Sequence, residues 1–155
     1  FIMNTFISIA VLFGVLVASR LIGMPDNFTP LMALAVFLPR LGGSSIIPVA
    51  VLAVTDALWL GWYSTMPVVY ACMGLASIIS VSTRNLYVAG ATSVLVWHVL
   101  VNTAVALSGN GYWPFTPETI MFDFRLLCST IVFLAVFEQM EKLTRAYIDG
   151  TRSRY

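Results

Sequence analysis

Charge and histidine are what this 155-residue chain has least of. Lys, Arg, Asp and Glu together make up 10% of it, against about 25% in soluble domains. Histidine occurs once, at His98, and one histidine cannot build a multi-histidine metal centre. Cysteine occurs twice, at Cys72 and Cys128, each inside an apolar run and without CxxC spacing. Both therefore read as membrane-facing or packing thiols rather than metal ligands or a disulfide. No GxSxG, HExxH or phosphate-loop motif is present. Asp56, His98 and one of many serines form no triad that their spacing supports. A formal net charge of +1 gives no reason to expect nucleic acid. These absences point away from an enzyme and toward a protein that needs no metal and no cofactor.

What the chain has is apolar length. Hydrophobic residues are 59% of it, above the roughly 45–50% of soluble domains. The expected fold class is all-α: a polytopic membrane bundle of about six transmembrane helices. It forms one transmembrane domain over residues 1–149, with a short basic cytoplasmic tail at 150–155. The chain begins at Phe1 rather than Met, so residues preceding it are expected.

Residues 2–22 are about the length a bilayer helix needs. A signal peptide is the rival reading of residues 1–19, with Val17-Ala18-Ser19 as a cleavage-like site, but the run is longer than a usual apolar core. Ala10, Gly14 and Ala18 stand at i, i+4 and i+8, which lets another helix approach closely. That stripe serves either internal packing or the docking of a separate subunit. Asp26-Asn27-Phe28-Thr29-Pro30 is the first polar break, and it organises the rest. Asn27 is the expected N-cap of a second segment, with Pro30 in its first turn and Pro39, Gly42 and Gly43 as its stop. A helix over 29–40 rises roughly 18 Å, against a hydrocarbon core of roughly 30 Å. It is either a short, sheltered spanning helix or a re-entrant half-helix, because such a break is tolerated only where protein or a wet cavity covers it.

Four further helices are expected at 44–61, 64–82, 87–107 and from 118 through 136. Ser64 or Thr65 caps the second of these, with Pro67 in its first turn. Thr116-Pro117-Glu118 starts the last one with a cap, a proline and an acid. Glu138 with Lys142, and Glu141 with Arg145, are i, i+4 pairs that carry it on as a solvated helix to a stop at Gly150. Arg40, Arg84, Lys142, Arg145, Arg152 and Arg154 then share one side, which the charge rule makes cytoplasmic. With six spans both termini are cytoplasmic and Arg20 lies outside; with a re-entrant second segment there are five spans and Arg20 joins the inside set.

Buried charge in a membrane costs several kcal/mol unless paired or hydrated, so such residues face the interior. Asp56 and Asn102 fall at similar depth toward the outer side, with His98 one turn deeper on the Asn102 face. Asp123 and Arg125 lie in the outer third of the last helix. They form either a buried polar cluster or a ligand site. Arg20 and Arg125 are the candidate partners of Asp56, and His98 reads as a core histidine bonded to Asn102 or a carbonyl. Trp59, Trp62, Tyr63, Tyr112 and Trp113 make either an interfacial belt or a roof over a pocket. The candidate ligand-binding set is Asn27, Asp56, Asn102, Tyr112, Trp113 and Arg125. The candidate partner-docking set is Ala10, Gly14 and Ala18.

The run from Asn27-Phe28-Thr29-Pro30 through Phe37 resembles the signature of a small bacterial membrane family of unknown function, classed among transport proteins. Thr55-Asp56, Leu60-Gly61, Met66-Pro67, Tyr70, Asn102, Gly109, Tyr112, Pro114 and Thr116 extend the resemblance more loosely, to about Asp123. The chain departs from that pattern at Tyr63, where a histidine is expected, and around 125–128, where a late aromatic-proline motif is missing. The family looks like the substrate-binding S components of energy-coupling-factor transporters. The resemblance implies six helices, cytoplasmic termini, a small-molecule pocket near the outer face, and a small-residue stripe on the first helix for a coupling subunit. It points to the bacterial inner membrane and to partners in lipid. The alternative is a non-catalytic accessory subunit of a larger respiratory or photosynthetic membrane complex.

Overall fold

The computed structural model describes residues 10, 14, 17–18, 21–42, 46–59, 61–109 and 111–152. Among the described residues the fold is all-α, with five α-helices and one 3-10 turn. These are α1 (Leu31–Phe37), a 3-10 turn (Leu38–Leu41), α2 (Ile46–Trp59), α3 (Met66–Ser82), α4 (Leu86–Leu107) and α5 (Pro117–Arg152). Of the expected first helix, Ala10, Gly14, Val17, Ala18 and Leu21 are helical. The rest of that span, Arg20 as a partner for Asp56, Gly43 as a stop, the Trp59 side chain and the 153–155 part of the basic tail lie outside the described residues.

The shortest helix is the hub. Met32 through Phe37 of α1 are all buried, and α1 touches each of the other four helices. Its seven residues and the following four-residue 3-10 turn together rise roughly 18 Å. A short helix at the centre leaves orphan carbonyls in an apolar core, and serines on its neighbours meet them. Ser77 Oγ donates to Ala35 O at 3.1 Å, and Ser80 Oγ donates to Val36 O. At the other end Ser129 Oγ donates to Thr29 O at 3.1 Å.

Three details correct the sequence expectations. Asn27 does not cap α1: Pro30 holds that position and accepts from Leu34 N at 2.9 Å, while Thr29 Oγ1 accepts from Leu31 N at 3.3 Å. Pro39 does not stop the segment, because a proline is tolerated in the first turn of the 3-10 turn that follows; Gly42, at φ +83°, ends it. Gly150 does not end α5, which continues to Arg152.

Two caps hold the end of the bundle where α3 passes to α4. Arg40 donates to Ser80 O at 3.0 Å, Thr83 O at 2.6 Å and Arg84 O at 3.2 Å, so one guanidinium closes the C-terminus of α3. Asn85 Oδ1 accepts from Tyr87 N at 2.9 Å and Val88 N at 3.1 Å and starts α4. Tyr87 OH then reaches Glu138 on α5 at 2.7 Å. One turn further along α4, a Cβ on Gly90 would sit 2.7 Å from Leu134 Cδ1 and 3.2 Å from Thr130 Cγ2, so these α5 side chains pack against the bare glycine.

Among the described residues two helices are long and apolar enough to cross a membrane: Leu86–Leu107 and the Pro117–Gly150 stretch of α5. Only 28% and 33% of their most apolar windows are buried within the bundle. Val88, Leu95, Val99 and Leu107 of α4, and Ile120, Met121, Phe124, Val132 and Val136 of α5, are exposed. At 36 residues, α5 is roughly 54 Å long. Its distal part carries the two expected ion pairs, Lys142 to Glu138 at 2.9 Å and Arg145 to Glu141 at 2.5 Å.

Candidate small-molecule cavity

A cavity of about 490 Å³ opens where the 23–29 loop crosses the bundle. Half of its lining comes from that loop; the rest comes from Leu31, Leu52, Asp56, Tyr63, Val69, Trp97 and Phe122. The walls are largely apolar and aromatic with a few polar groups, the composition of small-molecule sites.

Asp56 is the polar wall. It stands on α2 with no exposed surface, next to an equally buried Thr55 that donates to Leu52 O at 2.9 Å. Its Oδ2 accepts from Tyr63 OH and from Tyr70 OH, each at 3.3 Å. A buried carboxyl left without donors is costly, and these two hydroxyls meet that need. Tyr63 is half-buried and lines the cavity, as a roof over a pocket requires. The two tyrosines lie seven and fourteen residues beyond Asp56, as the antiparallel α2–α3 hairpin demands when it turns near Tyr63. That symmetry about the turn is the signal that identifies Tyr70, while Tyr63 stands at the turn itself.

Behind the loop lies a second buried acid, Asp123 on α5, which is 3% exposed. Asn27 Nδ2 donates to Asp123 Oδ1 at 2.8 Å and to Phe122 O at 3.0 Å. On the other oxygen, His98 Nδ1 lies 2.8 Å from Asp123 Oδ2, and Asn102 Nδ2 donates to the same atom. Asn102 Nδ2 also sits 3.2 Å from His98 Nδ1. The expectation of a core histidine next to Asn102 holds, with Asp123 as the centre of the cluster. The edge of the His98 ring faces Phe115, with centroids 6.4 Å apart.

The expected site residues thus divide. Asn27 and Asp56 line the cavity. Asn102 stands behind it, bonded to Asp123 and not among the lining residues. Tyr112 and Trp113 are 66% and 60% exposed on the 108–116 loop and do not line the cavity. Arg125 is exposed on α5 and likewise does not line it. The inward-facing role expected of Arg125 fails because Asp123 and Leu126 take the buried face of that turn. Ala10 and Gly14 are exposed and Ala18 is half-buried. Among the described residues no group of three or more His, Cys, Asp or Glu is placed to hold a metal ion.

Residues 2–148 match the model of a protein family described as a family of unknown function (DUF6580). The chain belongs to that family, which covers nearly its whole length. No curated protein and no solved structure matches it.

Proposed function

We propose that this chain is an integral membrane protein that holds a small molecule in the cavity beside the 23–29 loop, as the S components of energy-coupling-factor transporters do. One observation carries the reading: the chain's most specific motif and a fully buried carboxylate wall the same open cavity of about 490 Å³. The membrane setting is supported by the exposed Leu, Ile, Val and Phe on α4 and α5, a surface that water would penalise heavily. In this reading residues 2–22 supply the first of six spans and α1 the sheltered second. Arg40, Arg84, Lys142 and Arg145 mark the cytoplasmic end, and the cavity faces outward. The protein binds and carries out no chemistry itself; a coupling subunit and an ATPase module in trans would supply the drive.

The test is a thermal-shift screen of the purified chain against small metabolites. At least one compound should raise the melting temperature, and Asp56→Asn should remove that shift while leaving the folded yield. A screen in which no compound stabilises the wild type, or in which the variant responds equally, sinks the reading. The alternative is an accessory subunit of a larger respiratory or photosynthetic membrane complex. The exposure of Ala10 and Gly14 leaves room for a neighbouring helix in either reading.

A further inference from the structure

We propose that the 23–29 loop is the gate of the cavity and that Asp123 is its latch, a positioning residue that acts through Asn27. The inference rests on the small-molecule reading of that cavity.

The loop supplies half of the lining, so the cavity's mouth has the shape the loop gives it. The loop is held unevenly. Its downstream end is fixed to the bundle: Pro30 is fully buried, Thr29 O accepts from Ser129, and the Phe28 ring packs on Phe133 with centroids 6.1 Å apart. Its upstream end is exposed at Gly23, Pro25 and Asp26. Asn27 stands between the two. It is the one non-glycine among the described residues with a positive φ, +61°, a conformation that side chains other than Asn and Asp rarely adopt. Gly23, at φ +69°, opens the same loop. Two left-handed residues thus bracket the segment, and only one of them carries a side chain that reaches the bundle.

That side chain has a preset acceptor. His98 and Asn102, both on α4, meet Asp123 Oδ2 and fix the carboxylate's orientation on α5. Oδ1 is then aimed at the Asn27 amide, which also reaches Phe122 O on the same helix. The α4–α5 polar cluster touches no ligand in this account. It holds the acceptor to which the gate is tied, so loss of the Asn27 amide frees residues 23–27 while Thr29 and Pro30 stay in place. This gives Asn102 a place in the site that direct ligand contact does not.

The experiment reads the gate without a ligand. In the full chain, purified in detergent with Cys72 and Cys128 replaced by serine, Leu52→Cys places a thiol on the cavity wall. Met73→Cys places one in the core away from the cavity. A water-soluble maleimide is the probe. Asn27→Gly keeps the left-handed backbone and removes the side chain with its amide; it should raise the labelling rate at position 52 at least tenfold and leave position 73 unchanged. Asp123→Leu, which keeps about the same size and removes both acceptor oxygens, should do the same and carries the test if Asn27→Gly fails to fold. An unchanged rate at position 52, or an equal rise at both positions, overturns the gate. A cavity that binds nothing would leave the labelling result intact. A ligand whose binding ignores Asn27→Gly, with labelling unchanged, would spare the site and remove the latch.

Discussion

The Asn27 amide and the Asp123 carboxylate are 96 residues apart in the chain and meet at 2.8 Å. This one bond ties the start of the Asn27-Phe28-Thr29-Pro30 motif to the last helix. The rest of the motif follows the same logic. Phe28 packs on Phe133, Thr29 bonds through both its carbonyl and its hydroxyl, and Pro30 buries itself at the head of α1. The motif seats the central helix and shapes the cavity at once, so its residues cannot be exchanged singly without moving one or the other.

Sidedness follows from the charge pattern. Single cysteines introduced at Ser108 and Ser153 should label from opposite faces of the membrane, position 108 from outside and position 153 from the cytoplasm. A membrane-impermeant maleimide on intact cells, compared with inverted vesicles, reads this directly. Labelling of both from one side contradicts the six-span arrangement.

Arg40 should matter more than a boundary arginine usually does. Its guanidinium serves three carbonyls at the end of α3 and the Ser80 hydroxyl at 3.1 Å. Arg40→Met should cost about 2 kcal/mol, within the range for bonds to a charged donor. Arg40→Lys should recover little, because an ammonium cannot span four acceptors laid out for a planar fork. Thermal melting of the purified variants measures both.

The helical class and the positions of α3, α4 and α5 could be read from apolar runs, with Pro67 and Thr116-Pro117-Glu118 as start signals, because those signals are local; the Asn85 cap of α4 came only with the structure. The cost of a buried acid singled out Asp56, and helical spacing put His98 with Asn102. The partner of each acid could not be read. Tyr63 looks like an interfacial aromatic, and Tyr70 enters only through the family resemblance, until the hairpin brings both to Asp56. Asp123 gains its role from Asn27, which lies 96 residues away in the chain. Charge alone does not place Arg125: two residues from the buried Asp123, it lies on the exposed face of α5. That α1 sits at the centre follows only from the packing of all its neighbours.

Ser93 offers a test of the core's polar accounting. Its hydroxyl is buried, 2% exposed, and among the described residues it has no hydrogen-bond partner. A buried hydroxyl without a partner is a net cost. Ser93→Ala should leave the melting temperature unchanged or raise it; a loss of more than about 1 kcal/mol would mean that the hydroxyl is bonded.

The small-residue stripe separates internal packing from partner docking. A Cβ at Gly14 would meet nothing within 4 Å. Gly14→Leu should therefore leave the melting temperature of the isolated chain unchanged and reduce co-purification of a membrane partner. A drop in the isolated chain's stability would mean that the stripe packs inside the bundle.

The central claim is that the cavity at Asp56 holds a small molecule, and native mass spectrometry of the protein released from its own membranes tests it most directly. The account predicts a wild-type species carrying one small non-lipid adduct, and an Asp56→Asn species of equal yield without it. Wild-type protein that carries only lipid, or an adduct that persists in Asp56→Asn, would contradict it.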